Sequence, residues 1–124
     1  MLLIDSDILI DFIRGYKPSY SFFEKNKGIV FISILSKFEI IAGAKDQNKI
    51  IKLEEFLSNF SALTLSNEII ESAYDIFKTS FLINNMSAND ALIDATSIYY
   101  KFPLVSRNKK HYNKIERLEL IVPY

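Results

Sequence analysis

The sequence predicts an α/β fold, a three-layer α/β/α sandwich around a central parallel sheet. Two observations carry this. Short apolar runs alternate with segments of helical periodicity along the chain, the pattern of strands joined through helices and covered on both faces. The 124 residues, 49% of them hydrophobic, suffice for one sizeable core, and no internal repeat, low-complexity stretch or linker divides them, so a single domain over 1–124 is expected.

Leu2-Leu3-Ile4 reads as a buried strand that ends abruptly at Asp5-Ser6-Asp7. Ile8, Leu9, Phe12 and Ile13 then recur at helical spacing until Gly15. A small helix over Ser19–Lys27, closed by Gly28, leads into a second strand, Ile29 to Ile32. From Leu35 to Ala44 one helical face collects Leu35, Phe38, Ile41 and Ala42. Ile50 to Phe60 is a further amphipathic helix, with Leu53, Phe56 and Leu57 turned inward, and Ala62 to Leu65 is a weaker strand. Ser66 with Glu68 starts a long helix to about Leu82, which Asn84-Asn85 breaks. Ser87 to Tyr100 is the next helix, ended by Pro103, and Leu104-Val105 and Leu120 to Val122 are the last strands.

Fifteen basic and fifteen acidic side chains cancel, so the overall positive field common in nucleic-acid binders is missing and any such contact must be local. With no cysteine there are neither disulfides nor thiolate metal sites, which suits a reducing compartment and leaves oxygen as the metal-binding atom. No apolar run approaches the roughly 20 residues of a membrane span, and Asp5, Asp7 and Asp11 interrupt anything like a signal peptide. The cytoplasm is the expected location.

In an open parallel sheet, ligands bind beyond the carboxyl ends of the strands, and the acidic residues are judged by that rule. Asp5 directly follows an apolar strand, where a carboxylate needs a hydrogen-bond network or a cation. The alternative is that it only caps the helix beginning near Ile8. Asp7 is either that cap or an outer neighbour of the site, and Asp11, one turn on, is expected to be a solvated surface charge. Glu39 emerges between Phe38 and Ile40 and calls for either a salt bridge with a base such as Lys37 or a metal. Asp90 and Asp94 lie about 40° apart on one helix face with roughly 6 Å of rise, among apolar residues, so a cation or an opposing base would relieve their repulsion. Hard divalent ions prefer such oxygen ligands, and water polarised by the ion can attack phosphorus in line. His111, the only histidine, is set aside as a surface residue, while Arg107, Lys109 and Lys110 with Tyr112 form either a phosphate-holding cluster or a solvated loop.

Leu3 to Asp11, Ile32 to Ala44, Asn89 to Thr96 and Pro103 to Asn108 together resemble the four ordered motifs of the PIN domain, in particular the VapC-like toxins of prokaryotic toxin-antitoxin pairs. The resemblance spans nearly the whole chain. It implies a Mg2+- or Mn2+-dependent endoribonuclease in which Asp5, Glu39 and Asp90 gather the cation and Asn108 completes the catalytic set. Ser6, Asp7 and Ser106 would stand around that set, and Arg107, Lys109 and Lys110 would contact RNA. It further implies a homodimer and an antitoxin whose segment crosses the acidic groove. Two positions depart from the pattern. Asn108 stands where the fourth motif often has aspartate, and Asp94 stands where many relatives have a small apolar residue, so Asp94 is read as a metal ligand that restores the missing charge. Two rivals accompany this reading. One is a PIN-like module that binds RNA or protein without cutting. The other is a haloacid-dehalogenase-like phosphatase with Asp5 as nucleophile, whose usual Gly-Thr continuation is missing here and which leaves Glu39 without a role.

Overall fold

A computed structural model describes residues 1–108 and 118–124. In chain order the elements are β1 (Leu2–Ile4), α1 (Ser6–Ile13), α2 (Lys17–Lys25), β2 (Val30–Ser33), α3 (Ile34–Ala42) and α4 (Gln47–Leu57). They continue with β3 (Ser61–Leu63), α5 (Asn67–Asn84), α6 (Ala88–Tyr100), β4 (Leu104–Val105) and β5 (Leu120–Ile121). All pairings are parallel, in the order β3-β2-β1-β4-β5. The expected α/β/α sandwich is therefore the observed one.

Helix starts differ most from the sequence reading, and chemistry at the ends explains why. Pro18, whose ring presets a helical φ and whose missing N–H costs nothing in a first turn, lets α2 begin at Lys17 rather than Ser19. Asp46 accepts a hydrogen bond from the Lys49 N–H at 2.8 Å, which starts α4 at Gln47, three residues ahead of its first apolar residue. Asn85 closes α5 in the left-handed conformation (φ 53°), a geometry asparagine tolerates.

Alternation along the strands divides the core. Ile4, Ile32 and Val105 face one layer with Ile8 and Leu9 of α1, Ile40 of α3, and Leu53 and Leu57 of α4. Leu3 and Leu104 point the other way, against Ile93 of α6. Helix α6 packs in turn on α5 through Ile69, Ala73, Met86, Ala91 and Ala95. β1 is central, with Leu3 and Ile4 both fully buried. From β1 the chain builds outward through β2 and β3, then returns to the opposite side of β1 for β4 and β5. The crevice at the carboxyl ends of β1 and β4 is thus the switch point at which such sheets bind ligands.

Candidate active site

Asp5 stands at this crevice. Its backbone N–H donates to the Val105 carbonyl at 2.9 Å, which ties the end of β1 to β4. Its Oδ1 accepts the Ser6 N–H at 2.8 Å and caps α1, so the capping role belongs to Asp5 and not to Asp7. Its Oδ2 accepts the Ser106 hydroxyl at 2.8 Å. Asp7 Oδ2 accepts the Arg107 N–H at 2.9 Å and lies 3.4 Å from the Ser106 hydroxyl, whereas Asp7 Oδ1 is buried with no hydrogen-bond partner among the described residues. Burial first, and the charge of Asp5 second, push the Asp7 carboxyl up to about 6.

Helix α3 brings Glu39 to the same place. Partial burial raises its carboxyl, and Asp5 and Asp90 raise it further, against a lowering hydrogen bond from the Ser6 hydroxyl. Ser6 is itself held by the Ser36 hydroxyl at 3.0 Å, a contact that binds α1 to α3. Glu39 and Lys37 form no ion pair among the described residues.

Helix α6 supplies the other two carboxylates. Asp90 Oδ2 accepts the Ser87 N–H at 3.2 Å while the Ser87 hydroxyl accepts the Asp90 N–H at 3.1 Å, a reciprocal cap. The Ser87-x-x-Asp90 spacing is its signature in the sequence, overlooked there in favour of the acidic pair. Asp94 is fully buried, and neither carboxylate oxygen has a hydrogen-bond partner among the described residues. Burial, then Asp90, then Asp5, push its carboxyl up to about 9.

Asp5, Glu39, Asp90 and Asp94, drawn from three elements, therefore act on one another across the crevice. Among the described residues no three acidic or histidine side chains form a ready-made metal cage. A magnesium-type ion held by one or two carboxylates and several waters needs none, and the partnerless oxygens of buried Asp94 suit a hard cation. The residues present fit such an ion.

The fourth motif is positioned by its main chain. The Asn108 N–H donates to Ser106 Oγ at 3.0 Å. Arg107 departs from the simple picture of a basic side chain turned to solvent, since its Nε and Nη2 bind Asp11 Oδ2 and Oδ1 at 2.8 and 2.9 Å. Asp11 also accepts the Tyr124 hydroxyl at 2.7 Å. The expectation of a solvated Asp11 is thus corrected: it is only 9% exposed, because two donors of Arg107, just after β4, and the hydroxyl of Tyr124, just after β5, cover it. Nothing local to Asp11 announces those distant partners. Lys109, Lys110, His111 and Tyr112 lie outside the described residues.

The PIN domain profile matches residues 2–118. The chain belongs to the PIN domain family. Its similarity to a Ribonuclease VapC of Rickettsia bellii is 29% identity, covering 97% of this chain and 94% of that one. Similarity to Ribonuclease VapC1 of Methanocaldococcus jannaschii is 27%, covering 96% and 84%. Among solved structures, a toxin-antitoxin complex from Klebsiella pneumoniae superposes with a TM-score of 0.84 at 26% identity, covering 100% of this chain and 98% of that one. A DNA-bound VapBC from Salmonella typhimurium gives 0.83 at 18% identity with 98% coverage of both, a likeness of fold. Membership in the PIN family displaces the haloacid-dehalogenase-like reading. Among the described residues no helix is long and apolar enough to cross a membrane.

Proposed function

We propose that this PIN domain, taken as one unit over residues 1–124, is a divalent-metal-dependent endoribonuclease and the toxin of a toxin-antitoxin pair. The carrying observation is the meeting of Asp5, Glu39, Asp90 and Asp94 at the switch point of the sheet, with Asp94 buried and lacking any donor among the described residues. Bound there, Mg2+ or Mn2+ would supply Lewis-acid activation of water and offset charge on the phosphate oxygens.

Asp5, Asp90, Glu39 and Asp94 are the residues that would hold the ion. Ser106 orients Asp5 through its hydroxyl, and the Ser6 hydroxyl opposes the rise that burial and neighbouring charge impose on the Glu39 carboxyl. Asn108 offers a neutral oxygen, able to orient water or RNA but not to act as a base. Lys109 and Lys110 supply local positive charge in a chain of zero net charge, and Arg107, paired with Asp11 yet nearly half exposed, can still meet an RNA phosphate.

The protein partners proposed are a cognate antitoxin, in keeping with the toxin-antitoxin complex from Klebsiella pneumoniae that this chain resembles, and a second copy of the chain. Ile70, Tyr74 and Phe81 leave an exposed apolar row along one face of α5, with Leu82 and Ile83 also exposed near its end, and this surface suits association. The cytoplasm, which holds RNA and suits a cysteine-free chain, is the proposed site of action.

The test incubates purified protein with structured RNAs, with and without Mg2+ or Mn2+, beside Asp5→Asn. Metal-dependent cleavage that the variant loses supports the nuclease. Asn108 in place of an acid favours one second reading, a PIN module that binds without cutting, and tight metal and RNA binding with no cleavage would establish that instead.

A further inference from the structure

A second polar cluster lies beside the carboxylates, and two of its members, Asp11 and Tyr124, have no part in the proposed chemistry. Asp11 sits one helical turn beyond Asp7 on α1, hence on the same side of the helix. Both its oxygens are engaged by Arg107, and Oδ2 takes the Tyr124 hydroxyl as well. The fork of two N–H donors fixes the plane of the guanidinium as well as its distance. Tyr124 is placed in turn by its ring against Tyr16, with centroids 5.4 Å apart, and the Tyr16 N–H donates to the Asp11 carbonyl at 2.9 Å. Burial first, then the hydrogen bond to Asp11, push the Tyr124 phenol above its usual range, so it stays protonated and remains a donor.

The main chain around Arg107 serves the other side. Its N–H donates to Asp7, and on either side the Ser106 hydroxyl donates to Asp5 while the Asn108 N–H donates to Ser106 Oγ. The Asn108 bond fills an acceptor position on Ser106 Oγ, whose single proton is directed to Asp5. β4 ends at Val105, and the last sheet bond here is from the Ser106 N–H to the Ile121 carbonyl, 3.0 Å. Beyond it the turn is anchored by the Arg107 side chain.

We propose that Asp11 and Tyr124 are positioning residues that act through Arg107, locking the Ser106–Asn108 turn so that the Ser106 hydroxyl aims the Asp5 carboxylate into the cation site. Neither touches the reacting atoms. For its kinetic readout this inference rests on the nuclease reading above.

The test is a double-mutant cycle of Tyr124→Phe with Ser106→Ala on the full chain. It reads kcat and KM for RNA cleavage, Mn2+ affinity by calorimetry, and thermal midpoint. Tyr124→Phe should lower kcat and Mn2+ affinity roughly three- to tenfold with KM little changed. Arg107→Lys, which keeps the charge but not the fork, should fall further, by about 10- to 100-fold. In the Ser106→Ala background, Tyr124→Phe should then change neither kcat nor Mn2+ affinity, because the link it acts through is already cut. Additive losses, or a lowered thermal midpoint with kcat and Mn2+ affinity intact, would overturn the proposal while leaving the nuclease reading in place. A wild type that binds Mn2+ but cuts no RNA sinks the nuclease reading, and the Mn2+ affinities alone then decide the positioning role. Failure of the wild type to bind Mn2+ at all overturns both.

Discussion

Asp11 and Asp94 are both buried aspartates on helices that pack on the central sheet, 9% and 0% exposed, and their surroundings are opposite. Asp11 receives three donors at 2.7 to 2.9 Å and forms an ion pair with Arg107. Asp94 receives none among the described residues and faces the negative charges of Asp90 and Asp5. Burying a carboxylate is costly unless donors or a cation offset it. The first aspartate is thereby part of the scaffold. The second holds an unmet need for positive charge or a proton, which its proposed place in the cation site would meet.

That contrast can be broken experimentally. Asp11→Ala leaves Arg107 and the Tyr124 hydroxyl without their acceptor. It should destabilise the fold by about 2 kcal/mol in urea unfolding, less than a fully buried pair because Arg107 is half exposed. Asp94→Asn should do the reverse in EDTA, raising stability near neutral pH by on the order of 1–2 kcal/mol, with the amide's own poor hydrogen bonding limiting the gain.

The sign follows from the shift. A carboxyl raised from 3.8 to about 9 makes its full relative contribution below pH 4 and loses it as pH climbs toward 9. The gap between Asp94→Asn and wild type in EDTA should therefore open across that window. Saturating Mg2+ should close or invert it, and a gap unmoved by Mg2+ would remove Asp94 from the ligand set. Asn108→Asp added to Asp94→Asn should recover part of any Mn2+ affinity lost, measured by calorimetry, if charge at the fourth motif is what Asp94 replaces. Smallest is Tyr124→Phe, expected to cost about 1 kcal/mol of unfolding free energy for one neutral hydroxyl.

Much of the fold was legible because its signals are local. Leu2 to Ile4 followed by Asp5, the 3.6-residue rhythm of α3 and α6, and the asparagines after α5 each act within a few residues. The acidic candidates at Asp5, Glu39, Asp90 and Asp94 were legible as charges out of place among apolar neighbours, and the crevice brings them into electrostatic reach of one another. Illegible were the bonds that sort one buried acid from another. Arg107 reaches Asp11 across 96 positions and Tyr124 across 113, and no periodicity spans such distances. Ser36, which steadies Ser6 from 30 residues away, was invisible for the same reason.

The sequence by itself determined the alternation of strands and helices, the acidic turn at the end of the first strand and the family pattern of four motifs, since hydrophobic period and capping chemistry are written residue by residue. Only the tertiary structure decided which carboxylates are satisfied. By laying β4 beside β1 it sets Ser106 on Asp5 and Arg107 on Asp7 and Asp11, while the packing of α6 buries Asp94 without a donor among the described residues. Pairing depends on which chain segments become neighbours, and in a parallel sheet those neighbours are always separated by a crossover, here as long as that from β1 to β4.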